Sequence, residues 1–284
     1  MADSAARVDD GLLVNPRVSW PTMGLFALCI GGWAGTLGLA LGGALPAWAA
    51  VPLLAVFAYV SFTPMHDGVH KSITRAAWMN DAIGRVAAVP LFAPFIAFRW
   101  CHLQHHRKTN HPTEDPDFWS GRGPGWVLPL RWLTQDLHYY VAYFGRWRSR
   151  PAAERAEAVG TLALFVAIAA GLAAAGWGRE VVLYWLVPAR LAIGWLAFTF
   201  DYLPHWPYAA SAAEDRFVAT RNLRWSPTRE GRWLGPAMLW QNFHLVHHLY
   251  PGVPFHRYAR VWRARRAELR AKGALTRPLV GSVG

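Results

Sequence analysis

Apolar positions in this chain run in long unbroken blocks, not in the short alternations of a soluble fold. From Trp20 to Gly43 stand 24 residues without a charge. At about 1.5 Å per residue that length crosses a hydrocarbon core of about 30 Å. After Ala44, Leu45 and Pro46 a second block runs from Ala47 to Pro64. A third, Ala158 to Trp177, and a fourth, Val181 to Leu203, are separated only by Gly178, Arg179 and Glu180. The pattern predicts an all-α integral membrane protein of four transmembrane helices, at about 20–43, 47–64, 158–177 and 181–203. Ala82 to Phe98 is also apolar, but Arg85, Pro90 and Pro94 interrupt it. That stretch predicts an interfacial or re-entrant segment. Leu130 to Phe144 is aromatic with a helical period, as for a helix lying at the membrane surface. The frame is therefore an N-terminal tail (1–19), a membrane domain (20–260) and a basic C-terminal tail (261–284).

Composition agrees with a membrane: 54% of the 284 residues are hydrophobic and only 16% charged, where soluble domains carry about 25%. The net charge of +12 raises nucleic acid as a partner, and the distribution of charge argues against it. Of the 29 Lys and Arg, 27 fall in 1–19, 71–157 and 206–284. Arg179 stands in a turn and Arg190 inside the fourth span, where a charge is expected to face the protein interior or a cavity. By the positive-inside rule both termini and the section 71–157 are cytosolic. No basic stripe interleaved with aromatics marks a nucleic-acid face. Cys29 and Cys101 fit neither a disulfide framework nor a cysteine zinc site. No cleavable signal is expected in residues 1–19, which hold Asp3, Asp9 and Asp10.

The chemistry sits beside the blocks. HDGVH carries His66 and His70, HLQHH carries His102, His105 and His106, and HLVHH carries His244, His247 and His248. Positions i, i+3 and i+4 share one helix face, so each cluster can offer imidazoles to one centre. The charge pattern places all three on the cytosolic side. His205 stands just past the fourth span, four residues after Asp201. Imidazole suits iron, zinc and copper, so the residues alone do not name the metal. Eight or nine histidines exceed one zinc and can fill two sites. Asp67, Asp117 and Asp201, with Glu114 and Asp115, are candidates to orient the rings through their distal N–H. His111, His138 and His256 read as surface or interface residues, and Asn242 as a capping or packing residue.

HDGVH, HLQHH and HLVHH, in that order around two apolar hairpins, resemble the membrane fatty acid desaturase superfamily over about residues 45–260. The resemblance implies four transmembrane helices under a cytosolic helical cap holding two iron ions, with O₂ as co-substrate. It implies His205 as a ninth ligand, preceded at Asp201 by a position that is Asn in many desaturases. FRWCHLQHHRKTNHPTEDPD, FDYLPHWP, RNLRWSP (221–227) and WQNFHLVHHLYPGVPFHRY are most similar to the desaturase-like β-carotene ring hydroxylases. That subfamily implies 3-hydroxylation of the ring, giving cryptoxanthin and zeaxanthin. The small residues Gly68, Ala192, Gly194 and Ala197 either widen a cavity for such a ring or let helices pack. The alternative on the same scaffold is a fatty acyl or other lipid desaturase or hydroxylase. A zinc-dependent membrane hydrolase, with one activated water, is a distant third. Electrons are expected from a separate carrier, which the resemblance implies is a ferredoxin with its reductase. The bilayer and a lipophilic substrate complete the expected partners.

Overall fold

The computed structural model describes residues 11–226 and 233–280. The first ten residues of the expected N-terminal tail, Pro227 of RNLRWSP and the last four residues of the C-terminal tail lie outside them. Three helical runs are long and apolar enough to cross a membrane among the described residues: Trp20–Leu41, Ala47–Val69 and Ala152–Tyr202. The first two, α1 (Trp20–Leu41) and α2 (Ala47–Val69), form a hairpin. A Cβ on Gly32 would lie 2.3 Å from the Phe57 ring, so glycine at that position sets how closely the two helices approach. Leu28, Leu39, Val56, Leu164, Val166 and Ile168 remain exposed, an apolar surface that only lipid or another protein would cover.

The third run is 51 residues long, about 77 Å if straight. It is not straight. Gly176 has φ +95°, outside the helical region, and breaks the run into two arms. Phe165 and Trp185 meet across the break with ring centroids 5.6 Å apart, so the chain reverses there. The first arm is α7 (Ala152–Leu172), and the second contains α8 (Gly178–Val181) and α9 (Val187–Leu196). It ends in a π-helical turn, Ala197–Tyr202.

Between α2 and α7 the chain forms α3 (Ala77–Ala87) and α4 (Phe95–Lys108), bent 101° apart. The bend falls where Pro90 and Pro94 were expected to interrupt a span. It is followed by α5 (Leu128–Leu133) and α6 (Gln135–Gly145). Arg190 of α9 does not face a cavity: it donates to Asp136 of α6 and to the carbonyl of Leu133. Phe62, Met65, Phe95, Phe98, Leu196 and Phe200 close one core between α2, α4 and the second arm.

The remainder caps one end of this helical body with α10 (Ala212–Asp215), β1 (Arg221–Arg224), α11 (Leu234–Ala237), α12 (His244–Leu249), α13 (Tyr258–Ala271) and β2 (Leu275–Pro278). The chain is mostly helical, yet the all-α expectation needs one correction. β1 and β2 pair in parallel, with Arg221 opposite Leu275 and Arg224 opposite Pro278. Two four-residue strands so far apart in sequence leave no alternation long enough to read. The stretch expected to be a tail from residue 261 packs back, with Val261, Trp262 and Leu269 in the core of the cap.

Candidate metal centre

Four parts of the fold deliver the nine histidines to one place. The end of α2 brings His66, and its C-cap brings His70. Pro64 within α2 leaves the carbonyl of Val60 without its helical donor just before these ligands. The face of α4 brings His102, His105 and His106, and α12 brings His244, His247 and His248. The π-helical turn, closed by Leu203 N–H donating to the carbonyl of Phe198 (3.0 Å), re-aims the chain and brings in His205.

The nine divide into two groups. His66, His70, His102, His106 and His247 converge in one, and His105, His205, His244 and His248 in the other. Adjacent residues in two of the boxes therefore serve different groups: His105 and His106 part, as do His247 and His248. The groups touch where the His106 and His248 rings stack at 4.3 Å.

Within the first group Nε2 atoms lie 3.0 Å apart for His66 and His247, 2.8 Å for His70 and His102, and 2.9 Å for His106 and His247. In the second the spacings are 3.0 Å for His205 and His244 and 3.1 Å for His105 and His248. Metal–nitrogen bonds of about 2.1 Å at right angles separate their nitrogens by about 3.0 Å, and the tetrahedral angle of zinc by about 3.4 Å. The observed spacings match the former.

The distal nitrogens say the same. His105 Nδ1–H donates to Asp115 Oδ1 at 2.8 Å, and His205 Nδ1–H to Asn110 Oδ1 at 3.0 Å. Both rings turn Nε2 inward. Burial opposes charge on His105, but Asp115 and Asp117 push its imidazole up to about 9, so a bound metal would displace that proton. Burial, reinforced by neighbouring imidazoles, holds His205, His244, His247 and His248 well below the ordinary histidine range. They are neutral, the form a metal requires. The donor set fits two metal ions.

Of the proposed orienting acids, Asp117 Oδ2 lies 3.4 Å from His105 Nδ1, and its other oxygen accepts from Tyr139 Oη at 2.6 Å. Burial, with Asp115 alongside, pushes the Asp117 carboxyl up to about 6 against the pull of His105. Asp67 Oδ1 is 3.9 Å from His66 Nδ1, beyond hydrogen-bond range, while Oδ2 accepts from Thr22 of α1 at 2.9 Å. Glu114 sits outside, paired with Lys108. Asp201 lines an apolar cavity, and no hydrogen bond or ion pair joins its carboxylate to an imidazole among the described residues.

Two supports went unread in the sequence. Tyr258 Oη lies 3.0 Å from His247 Nδ1. Asn110, at φ +63°, not only holds His205 but donates to the carbonyls of Ala210 and Ala219. The one available signal was Asn in a loop directly after the second box, a residue that tolerates the left-handed region.

The cavity, about 60 Å³, runs between α2, α4, α6 and the second arm. Phe62, which stacks on His66 at 5.5 Å, and Phe98, which stacks on His102 at 5.5 Å, form the wall facing the first group. Of the small residues, Ala197 lines this cavity. Gly68 instead admits α3: a Cβ there would lie 2.7 Å from the Asn80 carbonyl oxygen. Gly194 likewise packs against Leu133.

Residues 42–279 match the family model described as fatty acid desaturase. The chain is 28% identical to the dihydrorhizobitoxine desaturase of Bradyrhizobium elkanii, over 72% of its own length and 64% of that protein's. It is 25% identical to the sn-1 oleoyl-lipid 12-desaturase of Arthrospira platensis, over 87% of its length and 75% of the other. It is 26% identical to the chloroplastic omega-6 fatty acid desaturase of Spinacia oleracea, over 66% of its length and 46% of the other. The chain thus spans between about half and three quarters of the length of these relatives.

Proposed function

Because this chain belongs to the fatty acid desaturase family, we propose that it is a membrane-embedded acyl-lipid desaturase working through two histidine-held irons. The family is histidine-rich and di-iron, and the chain is an oxidoreductase. His66, His70, His102, His106 and His247 would hold one iron, and His105, His205, His244 and His248 the other. The irons, when bound, supply the reduction of O₂ and the oxidising power to take hydrogen from an unactivated C–H bond.

The protein does the rest. Asp115, Asn110 and Tyr258 fix the orientation of His105, His205 and His247, so these rings turn Nε2 toward the metal sites. Phe62, Phe98, Leu196 and Ala197 exclude water and align an apolar chain beside the first group. Two hydrogens leave adjacent carbons. O₂, two electrons and two protons from outside the membrane complete the balance as two waters. Hydroxylation of the same carbon is the second outcome open to this oxidant.

The slim apolar cavity, parted from the first histidine group by the rings of Phe62 and Phe98, carries the reading, since an acyl chain suits a narrow passage better than a carotene ring. Gly68 and Gly194 do not widen it, because helix packing takes up both. The relatives act, by their names, on acyl lipids and on dihydrorhizobitoxine, and they support the acyl alternative over ring hydroxylation. We place α1, α2 and the two arms of the third run as four crossings, with both termini and the cap in the cytosol. A basic cytosolic face suits an acidic electron carrier such as a ferredoxin, supplied with its reductase.

The test is expression in two bacterial hosts, one making saturated and monounsaturated acyl lipids and one also making β-carotene. New double bonds in the acyl chains, dependent on iron and O₂, are expected. Hydroxylated carotene with untouched acyl lipids would replace this reading, and no oxidation of either would remove it.

A further inference from the structure

Beyond the histidine centre and its cavity, two further cavities lie on either side of the segment Gly235–Trp240. The first, about 290 Å³, is bounded by β1, β2, α11, the residues Trp240, Asn242 and Phe243 that lead into α12, and α13. Its cationic wall is Arg224, Arg263 and Arg270, and no acidic side chain among the described residues lines it. At about 30 Å³ per water it has room for roughly ten waters, the scale of a phosphorylated headgroup. Polar groups face it without partners. Asn222, 2% exposed, has a free Nδ2 donor, and Arg224 Nε is buried and unpaired. Asn222 is held in place because its Oδ1 accepts from the Leu245 amide at 3.1 Å. Arg270 is steadied over the Trp262 ring at 5.8 Å. A buried donor left unpaired costs about 1–3 kcal/mol, so these groups await an acceptor.

The second cavity, about 410 Å³, is an apolar groove between α2 and the second arm. Val56 and Tyr59 line it from α2, Leu191 and Trp195 from α9, and Ala237 and Leu239 close its end. Pro236 borders both cavities. One molecule with an anionic head and an apolar tail can therefore straddle the segment.

We propose that these two cavities together bind an anionic phospholipid, with its phosphate on Arg224, Arg263, Arg270 and Asn222 and an acyl chain in the α2–α9 groove. The proposal rests on the reading of α2 and α9 as membrane-spanning. It does not rest on the oxidation chemistry, because the groove lies on a different face of α2 and α9 from the cavity bordered by Phe62 and Leu196. The floor of the headgroup site is the segment leading into α12, so the bound lipid also braces the helix that carries His244, His247 and His248.

The full iron-loaded chain is purified in neutral detergent. It is then offered phosphatidylglycerol, phosphatidylcholine and inorganic phosphate in turn, with retained lipid read by native mass spectrometry. Selective retention of phosphatidylglycerol is expected. The Arg224→Gln/Arg263→Gln/Arg270→Gln variant should lose roughly tenfold or more of it with iron content unchanged. Val56→Trp, which fills the groove, should lower lipid retention and leave iron in place. If the triple variant fails to fold, the wild-type selectivity and the Val56→Trp result decide. Equal retention of both lipids, or capture of inorganic phosphate with no lipid, overturns the proposal. A chain that desaturates acyl lipids yet retains no phosphatidylglycerol would leave the enzyme reading intact and remove only this one.

Discussion

At the scale of single residues, the division of the histidines makes a prediction that a simple roll of nine ligands does not. His66 belongs to one group and His205 to the other. Each should therefore cost roughly half of the iron when replaced by Ala, by loss of a ligand that outer supports cannot replace. Metal analysis of His66→Ala and His205→Ala against wild type checks this, and full iron in either variant removes that ligand from the assignment. His138→Ala is the control: His138 stacks on Trp119 at 4.5 Å, outside both groups. The supporting residues make a finer test. Tyr258→Phe keeps the buried ring and removes only the hydroxyl beside His247, and Asp115→Asn weakens the partner of His105. Each should weaken iron retention by about 10–100-fold with little loss of fold, read as the chelator concentration that strips half the metal. The box histidines were legible because helix periodicity places i, i+3 and i+4 on one face. Asn110 and Tyr258 were not, because their roles exist only across contacts between distant parts of the chain.

Secondary-structure elements show where local sequence decided the outcome and where packing did. Pro90 and Pro94 announced the break that becomes the 101° bend between α3 and α4. Gly178, Arg179 and Glu180 marked the reversal of the third run to within a few residues, although the backbone turns at Gly176. The pair β1 and β2 could not be foreseen, since each strand is too short to show alternation. Gly68 gives this scale its test. It sits between two ligands on α2, and its Cβ position meets the backbone of Asn80 and Gly84, which cannot rotate aside. Gly68→Ala should push α3 from α2, cost about 1–3 kcal/mol and disturb His66 and His70 together. A lowered thermal midpoint with reduced iron is expected, and an unchanged midpoint would show that the two helices separate freely. Gly84→Ala would bring a Cβ 2.3 Å from the Phe95 ring, which is buried in the core, and should lower the midpoint as well.

At the scale of the whole molecule the proposed arrangement turns on charge asymmetry and long apolar helices. In the sequence, every cation but two lies in 1–19, 71–157 and 206–284; the exceptions are Arg179, near the reversal at Gly176, and Arg190, paired with Asp136. That asymmetry was legible in the sequence because it depends on counting, not on contacts. A helical cap was implied by the family resemblance, but its internal arrangement was not legible, since α12, α13, β1 and β2 come together by pairing and burial across the chain. The four-crossing arrangement has a direct test. Cys29 and Cys101 are buried and unpaired, so a background with both replaced by Ser can carry single exposed reporters. Arg75→Cys, Arg146→Cys and Arg266→Cys lie near the histidine end, and Ala44→Cys and Arg179→Cys at the two opposite turns; all five positions are exposed. In sealed right-side-out vesicles an impermeant thiol reagent should label the last two and spare the first three, with inverted vesicles giving the reverse. Labelling of Arg75→Cys and Arg266→Cys from opposite sides would place the first and third histidine boxes across the membrane from one another. No single metal centre survives that result, because His66 and His247 meet at 3.0 Å only if both ends enter from the same face.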